Sequence, residues 1–129
     1  MRFPGEISTV LIVEDSATFR EIIRDVLKNH FPLAAIYEAG EGNEALRIVD
    51  AHDPELVFMD IRLPGENGLM LTKKIKALRP ETRVIILSGY DTVEYREAAT
   101  QSGANCFISK DSMNWQEIET CVKSFPQTQ

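Results

Sequence analysis

Three acids, a hydroxyl and a lysine stand where four short apolar runs stop. Glu14 and Asp15 follow Thr9-Val10-Leu11-Ile12-Val13, Asp60 follows Leu56-Val57-Phe58-Met59, Ser88 follows Val84-Ile85-Ile86-Leu87, and Lys110 follows Cys106-Phe107-Ile108-Ser109. Carboxylates brought together repel: two unit charges about 4 Å apart cost about 4 kcal/mol at an effective dielectric near 20. Either protons or a cation must relieve that repulsion. The available donors are oxygens with no His or Cys beside them, so a hard ion, Mg²⁺ or Mn²⁺, is favoured over zinc. Asp15 and Asp60 are the natural direct ligands, with Glu14 reaching the ion through water. Beside such an ion one carboxylate can act as a nucleophile toward a phosphoryl donor. Asp60 is the best placed, because its run is the central one. Lys110 then supplies a compact positive charge for the phosphoryl oxygens, Ser88 donates a hydrogen bond to one of them, and metal and lysine together offset the charge that builds up in transfer. A single acid after a strand is ordinarily a solvated loop residue. Five chemically compatible residues at four successive run ends favour a common site.

The elements that would have to position them are legible as alternating strands and helices. Ser16 caps a helix with an apolar stripe at Phe19, Ile22, Ile23, Val26 and Leu27, stopped by Pro32. Ala34-Ala35-Ile36-Tyr37 reads as a strand. Asn43 is expected to cap a helix through about His52, with Ala45, Leu46 and Val49 facing inward. After Asp60 a turn-rich loop with Pro64, Gly65 and Gly68 leads to a helix over about Leu69 to Leu78, ended by Pro80. Thr92 to Gln101 reads as a fourth helix closed by Ser102-Gly103, and Asn114 with Glu117 as the capped start of a last helix through Ser124, with Pro126 ending the ordered chain. Five strands alternating with five helices imply right-handed crossovers and a parallel sheet covered by helices on both faces, whose ligands sit beyond the carboxyl ends of its strands.

Bulk properties narrow the function classes. The 129 residues suit one domain, expected over 1–129 with a core from about 9 to 124. A net charge of −6 argues against direct nucleic-acid binding. No apolar stretch approaches a membrane span, and Met1 to Glu6 lacks the apolar segment of a signal peptide, so the expected compartment is the cytoplasm. Cys106 and Cys121 are the two cysteines and are expected to be reduced core thiols. His30 and His52 are expected at the surface, Trp115 as a packing residue, and Gly40-x-Gly42 as a loop without dinucleotide chemistry.

The acidic pair Glu14-Asp15, Met59-Asp60 with Leu63-Pro64-Gly65 and Gly68 behind it, Ser88-Gly89 and Lys110 together resemble the receiver domain of two-component response regulators, over about Thr9 to Ser124. The resemblance implies a flavodoxin-like, doubly wound five-stranded parallel sheet of order 2-1-3-4-5 with five helices. It also implies that Asp60 is the phosphoacceptor, that Glu14 and Asp15 bind Mg²⁺ with help from the backbone carbonyl of Arg62, and that Ser88 is the switch hydroxyl beside the family's lysine, Lys110. Phe107 falls where the family places a rotating aromatic; it is equally a plain core phenylalanine, and the two are compatible if it is buried in one state and exposed in the other. Arg62 and Tyr90 fall where the family tunes hydrolysis of the aspartyl phosphate, and their bulk implies a long-lived phosphorylated state. The implied partners are a sensor histidine kinase or phosphotransfer protein, meeting the first helix near Phe19, Arg20 and Ile23. A downstream protein is expected at the fourth helix, fifth strand and fifth helix, including Tyr90, Tyr95, Phe107 and Trp115, and a phosphorylation-dependent homodimer is compatible with the family. Where receivers usually carry proline after the lysine this chain has Asp111, so a trans peptide and a different loop are expected. Lys110-Asp111 is similar to receivers joined to LuxR-type helix-turn-helix domains, although no such domain lies within these residues. The expected role is a switch rather than a metabolic enzyme. The alternative, a haloacid-dehalogenase-type metal-dependent phosphatase, needs a second acid two residues after the nucleophile, where this chain has Arg62; a flavodoxin-like electron carrier would need a hydroxyl-rich phosphate loop where it has Glu14-Asp15.

Overall fold

The central strand explains the rest. β3 (Leu56–Asp60) is buried along its whole length, as expected of a strand covered on both faces. β1 (Thr9–Val13) and β6 (Arg83–Ser88) flank it, and β2 (Ala35–Ala39) and β7 (Cys106–Ser109) form the two edges. All pairings in this sheet are parallel. The spatial order β2-β1-β3-β6-β7 is the expected 2-1-3-4-5 once the five long strands are numbered along the chain. The structure, a computed structural model, describes residues 7–125.

Alternation along the strands splits the core into two layers. Val10, Ile12, Leu56, Phe58, Ile85, Leu87 and Ile108 meet α1 (Ala17–His30) and α5 (Trp115–Lys123). Leu11, Val13, Val57, Met59, Val84 and Ile86 meet α2 (Gly42–His52), α3 (Gly68–Leu78) and α4 (Val93–Gln101). Each large apolar side chain removed from water in these layers contributes about 1.5–3 kcal/mol, which fixes the register and so aligns the strand ends.

Four helices start where a side chain satisfies their first amides. Ser16 accepts from the Phe19 N–H, Asn67 from Leu69, Thr92 from Tyr95 and Asn114 from Glu117. The expectation for Asn43 is corrected: α2 begins earlier, with Glu41 at the cap position and no side-chain cap. The Glu44 carboxylate instead reaches back to accept from the Gly40 N–H at 3.0 Å. A two-residue hairpin also stands where only turns were expected, β4 (Arg62–Leu63) against β5 (Glu66–Asn67), with Gly65 between them at φ 72°. After Lys110 no cis peptide occurs among the described residues, and a single 3-10 turn (Lys110–Ser112) connects to α5. The expected stop at Pro126 lies outside the described residues.

Two further expectations are corrected. Cys106 and Cys121 are not free thiols but a disulfide, with Cα atoms 6.0 Å apart. The first residue of β7 and the sheet-facing side of α5 come to the same place, which their separate sequence contexts did not reveal. Ile23 is fully buried against the sheet, so it belongs to the core and not to any partner contact; Ile22 beside it is the exposed residue of that pair. His30 and His52 are exposed as expected. His30 meets Trp115 edge-on, and Trp115 also packs edge-on against Phe31.

Candidate functional site

At the carboxyl edge of the sheet, the chain turns sharply after each of β1, β3, β6 and β7, and the five residues singled out above all lie there. Glu14 and Asp60 are nearly buried, at 2% and 7% exposure, while Asp15 is exposed. One carboxylate oxygen from each of the three acids lies within 4.8 Å of the others. Lys110 lies between the two buried acids: its Nζ is 2.6 Å from Glu14 Oε1 and 3.4 Å from Asp60 Oδ2. Glu14 also accepts from the Ser16 N–H at 2.9 Å. Its carboxylate is thereby turned back toward the start of α1.

The electrostatics follow from burial. Loss of water raises the pKa of Glu14, while hydrogen bonds from Lys110 and Ser16 pull it down and the charge of Asp60 adds to the rise. Asp60 is likewise raised first by burial, against the opposing pull of Lys110. Burial lowers the pKa of Lys110, but its hydrogen bond to Glu14 and the charges of Asp60 and Glu14 more than reverse this, and its ammonium form is favoured. Two buried acids that resist ionisation, an exposed third and a set of oxygen donors are what a hard divalent cation would relieve.

Ser88 is 2% exposed and engaged with the adjoining loop: its hydroxyl donates to the Tyr90 carbonyl at 3.1 Å and accepts from the Tyr90 N–H at 3.0 Å. Tyr90 itself is 48% exposed, and the Arg62 guanidinium lies 4.2 Å from the centre of its ring. The neighbouring Tyr95 side chain, and after it Tyr90, holds the Arg62 guanidinium in its charged form and its pKa above the usual value. These two bulky side chains, one from β4 and one from the loop after β6, therefore touch one another, and the Arg62 N–H lies 3.4 Å from Asp60 Oδ1. Phe107 is half-buried on the α4 side of the sheet, with the Arg96 guanidinium 4.6 Å from its ring centre.

Sequence reasoning overlooked three supports. Arg20 donates through its guanidinium to the Glu14 carbonyl and to Glu38, and so braces the loop carrying the acids. The Phe19 ring lies 4.7 Å from Lys110 Nζ. Gly68 was noted only as part of a motif; a Cβ there would collide with the Asp60 carbonyl, so the chain after the central strand folds back on itself only with glycine at this position. The Gly68 N–H donates to the Ile61 carbonyl at 2.7 Å, and buried Thr72 donates to the Gly68 carbonyl at 2.8 Å. A glycine four residues from a threonine at a helix start was the available signal for that pair.

A doubly wound sheet with acids at two strand ends and a hydroxyl and lysine at two more defines a class of phosphoryl-accepting signalling domains. Residues 10–123 match the response regulator receiver domain, and the chain belongs to that family, whose members are phosphorylation-activated switches. It is 34% identical over 104 residues to the oxygen regulatory protein NreC of Staphylococcus haemolyticus, covering 80% of this chain and 48% of that protein. To the transcriptional regulatory protein HptR of Staphylococcus aureus it is 40% identical over 93 residues, covering 71% of this chain and 36% of that one. Among solved structures, a CheY-like receiver domain protein of Methanospirillum hungatei superposes with a TM-score of 0.80 at 26% identity, covering 91% of both chains. The chain thus spans about half or less of the length of these curated relatives. Among the described residues no helix is long and apolar enough to cross a membrane.

Proposed function

We propose that Asp60 is the phosphoryl acceptor of this receiver, working with Mg²⁺ held by Glu14, Asp15, Asp60 and the Arg62 carbonyl. The observation that carries this is the position of Lys110 Nζ between Glu14 and Asp60, beside three acids able to share one ion. Mg²⁺, or Mn²⁺ in its place, supplies positive charge against which both the carboxylate and the incoming phosphoryl group can be held. Burial strips water from the Asp60 oxygen, which bonds to phosphorus as the donor's leaving group departs. Lys110 then has two anionic partners in reach and shifts its interaction from Asp60 to the phosphoryl oxygens. Ser88 has one hydroxyl proton, now spent on the Tyr90 carbonyl. Donating it to the phosphoryl group releases that carbonyl and frees the loop leading into α4, and the space it leaves favours inward rotation of Phe107. Such a change shifts an equilibrium only as far as phosphorylation favours one state.

On this reading the donor is a sensor histidine kinase or phosphotransfer protein, approaching the acids over Phe19, Arg20 and the exposed Ile22. The output is a protein contact on α4, β7 and α5, made with a downstream protein, a linked output domain or a second copy of the chain. The chain acts as a single cytoplasmic signalling domain that catalyses only its own phosphorylation and slow dephosphorylation. The test is intact mass after incubation with acetyl phosphate, with and without Mg²⁺, beside Asp60→Asn. A Mg²⁺-dependent phosphoryl adduct absent from the variant is expected; an adduct of equal yield in Asp60→Asn overturns the assignment.

A further inference from the structure

Cys106 opens the edge strand β7 and Cys121 lies on the sheet-facing side of α5, 15 residues later. Their Cα separation of 6.0 Å is within the range that a disulfide spans without backbone movement. The two sulfurs differ in access: Cys121 is 5% exposed among Ile118, Val122 and Ile108, while Cys106 is half-buried at the rim of that cluster. Among the described residues β7 hydrogen-bonds to one neighbouring strand, β6, so the bond joins the edge strand to the helix that covers it.

We propose that Cys106 and Cys121 are a reversible redox modification site, closed by a low-molecular-weight disulfide and opened by a small thiol, with Cys106 as the sulfur that exchanges first. In closure the Cys106 thiolate attacks one sulfur of the small disulfide RSSR and expels RS⁻. Cys121, having lost its proton to solvent, attacks Cys106 in the resulting mixed disulfide and expels the second RS⁻. The protein gives up two protons and two electrons, and RSSR is reduced to two RSH. In opening, a small thiolate RS⁻ attacks Cys106 and expels Cys121 as its thiolate; a second RS⁻ attacks the outer sulfur of the mixed disulfide, releasing the Cys106 thiolate and RSSR, and both thiolates take protons from solvent. Cys121 is buried among apolar side chains, which disfavour the charged thiolate as a leaving group, so opening is slow. The site is a persistent mark rather than a rapid switch. When closed it cross-links β7 to α5 and removes conformations from the loosened state, in which α5 separates from the sheet edge. None of these steps uses a phosphoryl group, so the inference stands apart from the function proposed above.

The experiment equilibrates the full chain with reduced or oxidised glutathione, alkylates it under denaturing conditions and measures intact mass and melting temperature. Two alkylated thiols are expected after reduction and none after oxidation, on a monomer lighter by two hydrogens than the reduced chain. The oxidised form should melt roughly 5–10 °C higher. In Cys121→Ser a stable glutathione adduct should accumulate at Cys106, and in Cys106→Ser adduct formation at Cys121 should be at least about tenfold slower, given its burial. Thiols that stay free in oxidised glutathione, or oxidation that yields disulfide-linked dimers, would overturn the proposal using the wild type alone. Equal adduct rates in the two variants would overturn the assignment of Cys106 as the first to react.

Discussion

Lys110 has two jobs that pull against each other. It is the nearest cation to Asp60, and it is also the partner that makes a nearly buried Glu14 carboxylate tolerable. Removing it with Lys110→Met strands that carboxylate. Breaking a fully buried pair this way costs 3–5 kcal/mol, but the Lys110 side chain is 22% exposed, so about 2 kcal/mol is expected at pH 7. The pKa of Glu14 is already raised by burial, and losing Lys110 raises it further. A raised folded-state pKa means that the folded chain takes up the proton first as pH falls, so the penalty present above that pKa is relieved below it. Urea denaturation should therefore show the gap between variant and wild type narrowing between pH 7 and about pH 5; a gap that widens on acidification contradicts this account. Arg62 and Tyr90 act differently, because each is exposed and they stack on one another two residues beyond Asp60 and Ser88. The double variant Arg62→Ala, Tyr90→Ala should lose its phosphoryl group faster, about tenfold if the barrier to hydrolysis falls by about 1.4 kcal/mol. Unchanged lifetimes, followed by mass spectrometry after removal of the donor, count against a shielding role.

The secondary-structure elements are held in place by capping and by close approach. Among the described residues, four of the five α-helices begin at a residue whose side chain accepts from an amide of the first turn, and α2 is the exception. Its cap position is Glu41, which makes no such bond. Glu41→Ser should therefore stabilise the domain by about 0.5–1 kcal/mol, whereas Asn43→Ala, one residue inside the helix, should cost less than about 0.5 kcal/mol. Chemical denaturation of both variants separates the two cap positions directly. If Asn43→Ala proves the costlier, the helix starts where its sequence suggested.

At the scale of the whole molecule, the carboxyl edge of the sheet concentrates negative charge that the fold alone does not neutralise. A divalent ion that binds only the folded chain adds stability by mass action, about 2.7 kcal/mol at a hundredfold excess over its dissociation constant. The melting temperature should thus climb with Mg²⁺ and return to its starting value on chelation. Asp60→Asn removes one of the crowded charges: without Mg²⁺ it should melt at or above the wild type, and it should respond to Mg²⁺ far less. A full Mg²⁺ response in that variant would place the ion elsewhere.

What the sequence determined by itself was everything encoded locally. Apolar runs of four or five residues, the polar residue closing each, and cap and stop signals between them sufficed for the five long strands and the gathering of Glu14, Asp15, Asp60, Ser88 and Lys110 at one edge, since in a parallel sheet the strand ends are necessarily together, while the strand order came from the family resemblance. Even so, Asn43 misled, because neighbouring residues can compete to start one helix. The tertiary structure alone decided how side chains from distant segments meet. Lys110 reaches Glu14 across 96 positions of sequence, Arg62 lies over Tyr90, Cys106 joins Cys121, and Ile23 turns inward while Ile22 faces water. Each depends on the rotation of a helix or the register between strands far apart in the chain, which are set by packing of the two cores and leave no trace in a local pattern.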